Sequence, residues 1–262
     1  MKRYQLFEFE DFAWFPKLLR DYMTDYLRTI TETFDMFAPT VPLLADLLQR
    51  TGHTRVVDLA SGGGGTWRRL APALQREVPA LQVQLTDLYP NVQALGDTVS
   101  SHPEIMRFEP EPMDARAVSP ELTGVRTQFL SLHHLAPADV RAMLHNAVAA
   151  GQPVAIFEAQ QRDLKHVLQF MFSPLFVWLL TPLIRPFRWS RLLLTYVIPA
   201  VPFFVLWDGV VSALRTYTPA EMLEMANAAD AGSAFEWDAG VLQAGPVKIP
   251  YLLGWPDTHH AV

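Results

Sequence analysis

The sequence predicts an α/β fold: a doubly wound, mostly parallel seven-stranded sheet closed by an antiparallel C-terminal hairpin. Three observations carry this. Val56-Val57-Asp58-Leu59 is an apolar, β-branched run that contains one acid and leads through Ala60 and Ser61 into four glycines, Gly62 to Gly65. Such a run reads as a buried strand, and residues 66–75 after it suit a helix. Strand-like and helix-like segments then alternate as far as residue 158, the pattern of a parallel sheet. Near the end, strand-like segments 235–241 and 247–253 are joined only through Ala244-Gly245-Pro246. Strands joined so closely pair antiparallel.

Residues 1–52 read as a helical cap ahead of the first strand. Phe12, Trp14 and Phe15 cluster before Pro16, which suits the first turn of a helix. Leu19, Tyr22, Met23, Tyr26, Leu27 and Ile30 recur at helical spacings. Pro39 and Pro42 end that helix and start another, through Leu43, Leu44, Leu47 and Leu48 to Gly52. The cap either packs against the main domain or covers a site with Trp14, Tyr22 and Tyr26.

The main domain, 53–262, opens on the glycine turn. Glycine permits sharp turns and lets a ligand approach main-chain N–H groups, and a helix N-terminus beside it favours negative or polar ligand groups. The second strand, 82–86, ends at Asp87, where a carboxylate can accept from both hydroxyls of a ribose. Pro90 opens a helix to residue 99. A short third strand, 105–109, precedes Met113-Asp114-Ala115.

The fourth strand, 127–132, carries His133-His134 at its carboxyl end, where ligands of open α/β sheets sit. Either histidine is a candidate general base for a hydroxyl or amine acceptor. Adjacent side chains on a strand point to opposite faces, so the pair does not read as a metal site and no metal is expected. A helix over 137–150 and a fifth strand over 153–157, with Glu158 at its tip, complete the alternation. Thr218-Pro219-Ala220-Glu221 has the form of a helix start.

Composition narrows the function. There is no cysteine, which excludes disulfides, thiolate catalysis and Cys-ligated metals. A formal charge of −6 argues against a nucleic-acid partner. Charged residues are 18% of the chain, below the ordinary share of about 25%, so some apolar surface is expected to face something other than water. Glu8, Glu10 and Asp11 interrupt any N-terminal apolar run, so a signal peptide is not expected and a cytoplasmic location is.

The glycine turn has two registers. In one, Ala60, Gly62 and Gly65 fit a dinucleotide fingerprint in part, which leaves a nicotinamide-dependent oxidoreductase open. The other is Asp58-x-Ala60-x-Gly62-x-Gly64. With Asp87, Asp114, a histidine-bearing fourth strand and a terminal hairpin in that order, it resembles class I S-adenosylmethionine-dependent methyltransferases of the small-molecule type. The likeness covers about residues 53–158 and 216–254, and Ala60 stands where the family has its first glycine. By this resemblance Ala60, Ser61, Gly62 and Gly64 approach the methionine part of S-adenosylmethionine, and Asp58 steadies the turn or the cofactor's amino group. Asp87 holds the ribose, Leu88 packs on the adenine, and Asp114 and Ala115 sit at the adenine edge. The implied activity is methyl transfer to a small, lipophilic acceptor. A non-catalytic, membrane-associated binding protein on the same fold is the third reading.

Residues 159–215 exceed a minimal version of that fold. Residues 167–184 and 192–207 are charge-free arms flanking Arg185, Arg188, Trp189 and Arg191, which reads as an apolar helical hairpin. Spanning a bilayer would carry three arginines across it, against the positive-inside bias. The hairpin is expected to lie in a membrane interface on the inner face, or to cover the site or meet a second subunit through 167–207. Asp208, Arg215 and Tyr217 beyond it are candidate substrate-lining residues.

Overall fold

Seven strands form one sheet in the order β3-β2-β1-β4-β5-β7-β6. They are β1 Arg55–Asp58, β2 Gln82–Leu85, β3 Met106–Phe108, β4 Val125–Phe129, β5 Val154–Phe157, β6 Phe235–Ala244 and β7 Val247–Pro256. The computed structural model describes residues 1–244 and 247–257. The first five strands are parallel, and β7 lies antiparallel between β5 and β6, with Ile156 opposite Leu252 and Ala239 opposite the same residue. The expected fold class is therefore found. Gly245 and Pro246 of the expected hairpin connection lie outside the described residues.

The helices of the main domain are α3 Trp67–Glu77, α4 Val92–Val99, α5 Pro137–Ala149 and α10 Pro219–Ala229, with α1 Lys17–Phe34 and α2 Val41–Thr51 ahead of them. Helix α2 ends at Gly52, whose φ of +68° lets the chain leave through a left-handed turn. Helix α10 begins with a complete capping box: Glu221 N–H donates to Thr218 Oγ1, and Thr218 N–H donates to Glu221 Oε2 at 2.8 Å. One core, including Leu44, Val56, Trp67, Leu85 and Phe157, fills one side of the sheet. A second, including Leu132, Ile156, Met222 and Leu252, lies beneath α5 and α10.

The insertion is broken rather than a simple hairpin. Its pieces are α6 Leu164–Phe170, α7 Ser173–Leu180, α8 Trp189–Leu192 and α9 Ala200–Arg215, with 3-10 and π turns between them. Pro174, Pro182 and Pro199 stand at the breaks, where a missing N–H ends the regular ladder. The apolar stripe of α1 (Tyr22, Met23, Tyr26) packs with Val177, Val201 and Val205 of the insertion. This corrects the expectation for the cap. Tyr22 and Tyr26 are buried core residues, Tyr22 bonded to Ser190 Oγ at 2.5 Å. Trp14 is 68% exposed and stacks on Phe12. Arg191 also leaves the expected basic patch, because it is buried beneath Tyr22 and paired with Asp25.

Candidate active site

A cavity of about 560 Å³ opens at the carboxyl ends of β1, β2 and β4. This is where an open α/β sheet places its ligands. Its walls are the glycine turn, the loop after β2, residues 113–116, the segment after β4, one face of α1, and the N-terminal segment at Glu10 and Asp11.

The glycine turn is built around two acids. Asp58 is buried and accepts from Ser61 Oγ and Thr127 Oγ1, both at 2.6 Å. Burial raises its pKa to about 6, against the pull of those two hydroxyls. Asp58 is therefore a brace inside the turn and does not line the cavity. Asp87 is half-buried at the cavity wall. Its Oδ2 accepts from Gly62 N–H and its Oδ1 from Tyr89 N–H, each at 2.7 Å. The two strand ends are thus clamped together through the turn.

Ala60 lies on the cavity with φ +56°, and Gly62 and Gly64 share the left-handed region. The alanine that replaces the expected glycine thus holds a conformation that L-residues adopt at some energetic expense, a kind of strain found at functional turns. The last two glycines answer to packing. A Cβ on Gly65 would stand 2.2 Å from Arg28 Cγ, and one on Gly64 would stand 2.9 Å from Leu85 Cδ1. Helix α1 therefore rests directly on the turn.

The structure brings Ala60, Ser61, Gly62, Asp87, Leu88, Asp114, Ala115, His134 and Arg215 to the cavity, and leaves out Gly64. Leu88 is exposed, free to pack on a planar ligand. Asp114 is already engaged: Arg116 grips both its oxygens at 2.9 and 2.6 Å and bridges to Asp139 at 2.8 Å. Those bonds lower its pKa, so any ligand must share it with Arg116. Among the described lining residues, five side-chain atoms have no hydrogen-bond partner and are shielded from water: Glu10 Oε1, Arg20 Nε, Arg28 Nη1, Gln128 Oε1 and Ser131 Oγ.

The histidine pair departs from expectation. Strand β4 stops at Phe129, Leu130 turns the chain at φ +53°, and the pair lies on a 3-10 turn, Leu132–His134. The ring centroids are 4.4 Å apart at 34°, so they share one side instead of opposing faces. His133 is buried away from the cavity, its Nδ1 2.9 Å from Glu158 Oε2. His134 reaches the cavity, 2.8 Å from Asp11 Oδ1. Burial works against its charged form, but Glu8 and Asp11 outweigh it and raise its pKa to about 10. His133 does not reach the cavity and His134 is held toward its charged form, so neither ring stands ready as the expected base.

The other candidate lining residues are drawn inward by backbone groups. Asp208 accepts from Phe9 N–H at 2.9 Å and Glu10 N–H at 3.3 Å, and does not line the cavity. Burial raises its pKa to about 7. Tyr217 donates to Leu135 O at 2.8 Å beneath the guanidinium of Arg3. Arg215 alone of the three meets the cavity, and it ties Asp11 at 2.5 Å to the carbonyls of His133 and His134. The segment Glu8-Phe9-Glu10-Asp11 was not legible as a site in the sequence. Its one signal was three acids in four residues amid aromatics, where burial was not foreseeable. Burial, with Asp208 beside it, raises the Glu10 pKa to about 8.

The sheet order and reversed seventh strand define the class I methyltransferase fold. Many solved structures share it. An O-methyltransferase family protein from Burkholderia thailandensis aligns over 91% of this chain and 59% of its own, with 18% identity and a TM-score of 0.54. Human N-acetylserotonin methyltransferase, solved with S-adenosylmethionine, aligns over 91% and 56%, with 14% identity and a TM-score of 0.50. A plantazolicin methyltransferase, solved with S-adenosylhomocysteine, aligns over 92% and 96%, with 10% identity and a TM-score of 0.50. The chain thus spans under two thirds of the first two proteins. No protein-family model and no curated protein sequence matches it.

Proposed function

We propose that the chain binds S-adenosylmethionine and transfers its methyl group to a small, lipophilic acceptor. The observation that carries this is the clamp of Asp87 on Gly62 at the mouth of a cavity bounded by the ends of β1, β2 and β4. Asp87 would hold the ribose and Leu88 the adenine face, with the methionine part over Ala60, Ser61 and Gly62 of the turn. The bound sulfonium supplies an already activated methyl group. The chain's own work is then to align the acceptor and exclude water, and a general base is optional. Leu27, Leu88, Met113, Phe129 and Leu135 offer the acceptor an apolar wall, while the ion pairs of Arg215 and His134 with Asp11 make one end polar. Calorimetric titration with S-adenosylmethionine, S-adenosylhomocysteine and NAD tests the reading. One-site binding of the first two and none of NAD is the expected result. Tight NAD binding would establish the oxidoreductase alternative instead.

The insertion supports a membrane site for this reaction. It contributes nothing to the cavity before Arg215, and beyond the side chains packed on α1 it leaves many large apolar residues exposed. Leu183 (65%), Trp189 (78%) and Val197 (72%) are exposed with Leu164, Phe172, Leu179 and Ile198. The helical stretch Leu164–Leu183 has a mean hydropathy of 1.4 and is mostly exposed. Lys165 and Arg185 are exposed on the same insertion. An apolar face with cations and tryptophans at its rim fits the headgroup boundary of an anionic leaflet, here the inner face of a cytoplasmic membrane. Vesicles containing anionic lipid are expected to float the protein. Trp189→Glu combined with Val197→Glu is expected to cut binding by roughly tenfold or more, since each buried apolar side chain is worth about 1.5–3 kcal/mol. A protein that ignores vesicles but forms dimers through these residues would assign the face to a second copy of the chain.

A further inference from the structure

The acidic N-terminal turn and the histidine pair converge on a second chemistry. We infer that Glu8, His133 and His134 form a binding site for a divalent first-row transition-metal ion beside the cavity. One ligand atom from each lies within 4.8 Å of the others. The separations are 4.0 Å between His133 Nε2 and Glu8 Oε1, and 3.6 Å between His134 Nδ1 and Glu8 Oε2. Ligand atoms about 2.1 Å from a tetrahedral ion stand roughly 3.4 Å apart, so an ion would draw the three side chains together from a 4.8 Å spread. His134 Nδ1 shares its proton with Asp11 Oδ1 at 2.8 Å, so an ion bound there would displace that proton, leaving Asp11 to its pair with Arg215.

The tautomer of His133 sharpens the point. Glu158 Oε2 lies 2.9 Å and Gln160 Nε2 3.2 Å from His133 Nδ1, and the shorter contact to the carboxylate suits the tautomer with its proton on Nδ1. In the neutral ring Nε2 is then a lone pair facing Glu8. Glu8 is 1% exposed, and its Oε1 accepts no hydrogen bond, although Arg215 Nη1 stands 3.3 Å away. A cation between these two buried acceptors would add to the pairing that Arg215 gives Glu8. The backing of His133 by Glu158 is also the carboxylate–histidine arrangement that orients and strengthens metal-binding imidazoles.

The charge balance agrees. Glu8, Asp11 and Glu158 surround the pair, and Arg215 is the permanent cation bonded among them. Two nitrogens and one carboxylate select a borderline ion such as Zn²⁺ over Mg²⁺ or Ca²⁺. His134 also lines the cavity, so the ligand class this site adds is an acceptor presenting an oxygen donor beside His134. That consequence rests on the methyl-transfer reading; the metal site does not.

The test is titration of tag-free, chelator-dialysed protein with ZnCl₂ and, separately, MgCl₂, followed by calorimetry without S-adenosylmethionine. One Zn²⁺ per chain and no Mg²⁺ is the expected result. His134→Gln, at a partly exposed side chain, and Glu8→Gln are each expected to weaken Zn²⁺ binding at least tenfold. Glu158→Gln is expected to weaken it by about 10–100-fold through His133. Circular dichroism of each variant separates loss of the site from loss of the fold. Absence of one-site Zn²⁺ binding in the unsubstituted protein would overturn the inference, as would unchanged affinity in a folded His134→Gln variant. Neither result would bear on cofactor binding, which is measured separately.

Discussion

Asp87→Ala is expected to weaken S-adenosylmethionine binding by at least 100-fold while leaving the chain folded. Asp87 stands half-buried at the cavity, and each of its oxygens spends one lone pair on a backbone N–H, Gly62 and Tyr89. The remaining lone pairs can serve two hydroxyl donors of a ribose. A hydrogen bond to a charged group contributes about 1.5–3 kcal/mol, so losing two removes at least about 3 kcal/mol, a factor of 100 or more. The variant also frees Gly62 N–H and loosens the clamp between β1 and β2, which adds to the loss. Asp87→Asn keeps the shape and one oxygen but turns the other position into a donor, and a loss of about tenfold is expected. Calorimetry on both variants, with thermal unfolding as control, checks the ranking. Affinity within threefold of the unsubstituted protein in Asp87→Ala would remove Asp87 from the ribose role.

That prediction was available from the chain because the fold writes itself into local patterns. The apolar run before Asp58, the alternation to Glu158 and the capping box at Thr218 each depend on neighbours close in sequence. The cavity wall depends on contacts far apart in the chain, and there local pattern fails. Helix α1 illustrates this. Its aromatic stripe looked suited to a ligand, yet apolar area drives that face into the insertion, and the polar face with Arg20, Asp21, Thr24 and Arg28 meets the cavity. The histidine pair was misplaced for a smaller reason. A strand ending three residues sooner, at Phe129, puts both rings on a turn, and the alternation argument against a shared ligand no longer applies. Four glycines suggested ligand approach alone, but Gly65 is required because Arg28 packs where its Cβ would stand. No spacing rule connects residues 8–11 to Asp208 and Arg215, some 200 positions away, although that convergence supplies one end of the site.

Arg215 is where that convergence is most sensitive to substitution. Arg215→Ala is expected to destabilise the fold by about 3–5 kcal/mol, the range for removing one partner of a buried charge cluster. The side chain is 1% exposed. Its Nε donates to His133 O at 3.0 Å and its Nη2 to His134 O at 2.5 Å. Its Nη1 meets Asp11 Oδ2 at 2.5 Å and Glu8 Oε1 at 3.3 Å. Truncation leaves two carbonyls and two carboxylates facing a void from which the guanidinium that pairs with them has gone. Arg215→Lys separates charge from geometry. The ammonium keeps the cation but replaces a planar fork by a compact point charge, so it can reach the carboxylates or the carbonyls and not both sets. An intermediate loss of about 1–3 kcal/mol is expected for Lys, measured by chemical denaturation beside the Ala variant. Equal losses in Ala and Lys would mean that the fork, and with it the placement of His133 and His134, is what the residue supplies. Full recovery in Lys would mean that charge alone holds the N-terminal acids against the cavity.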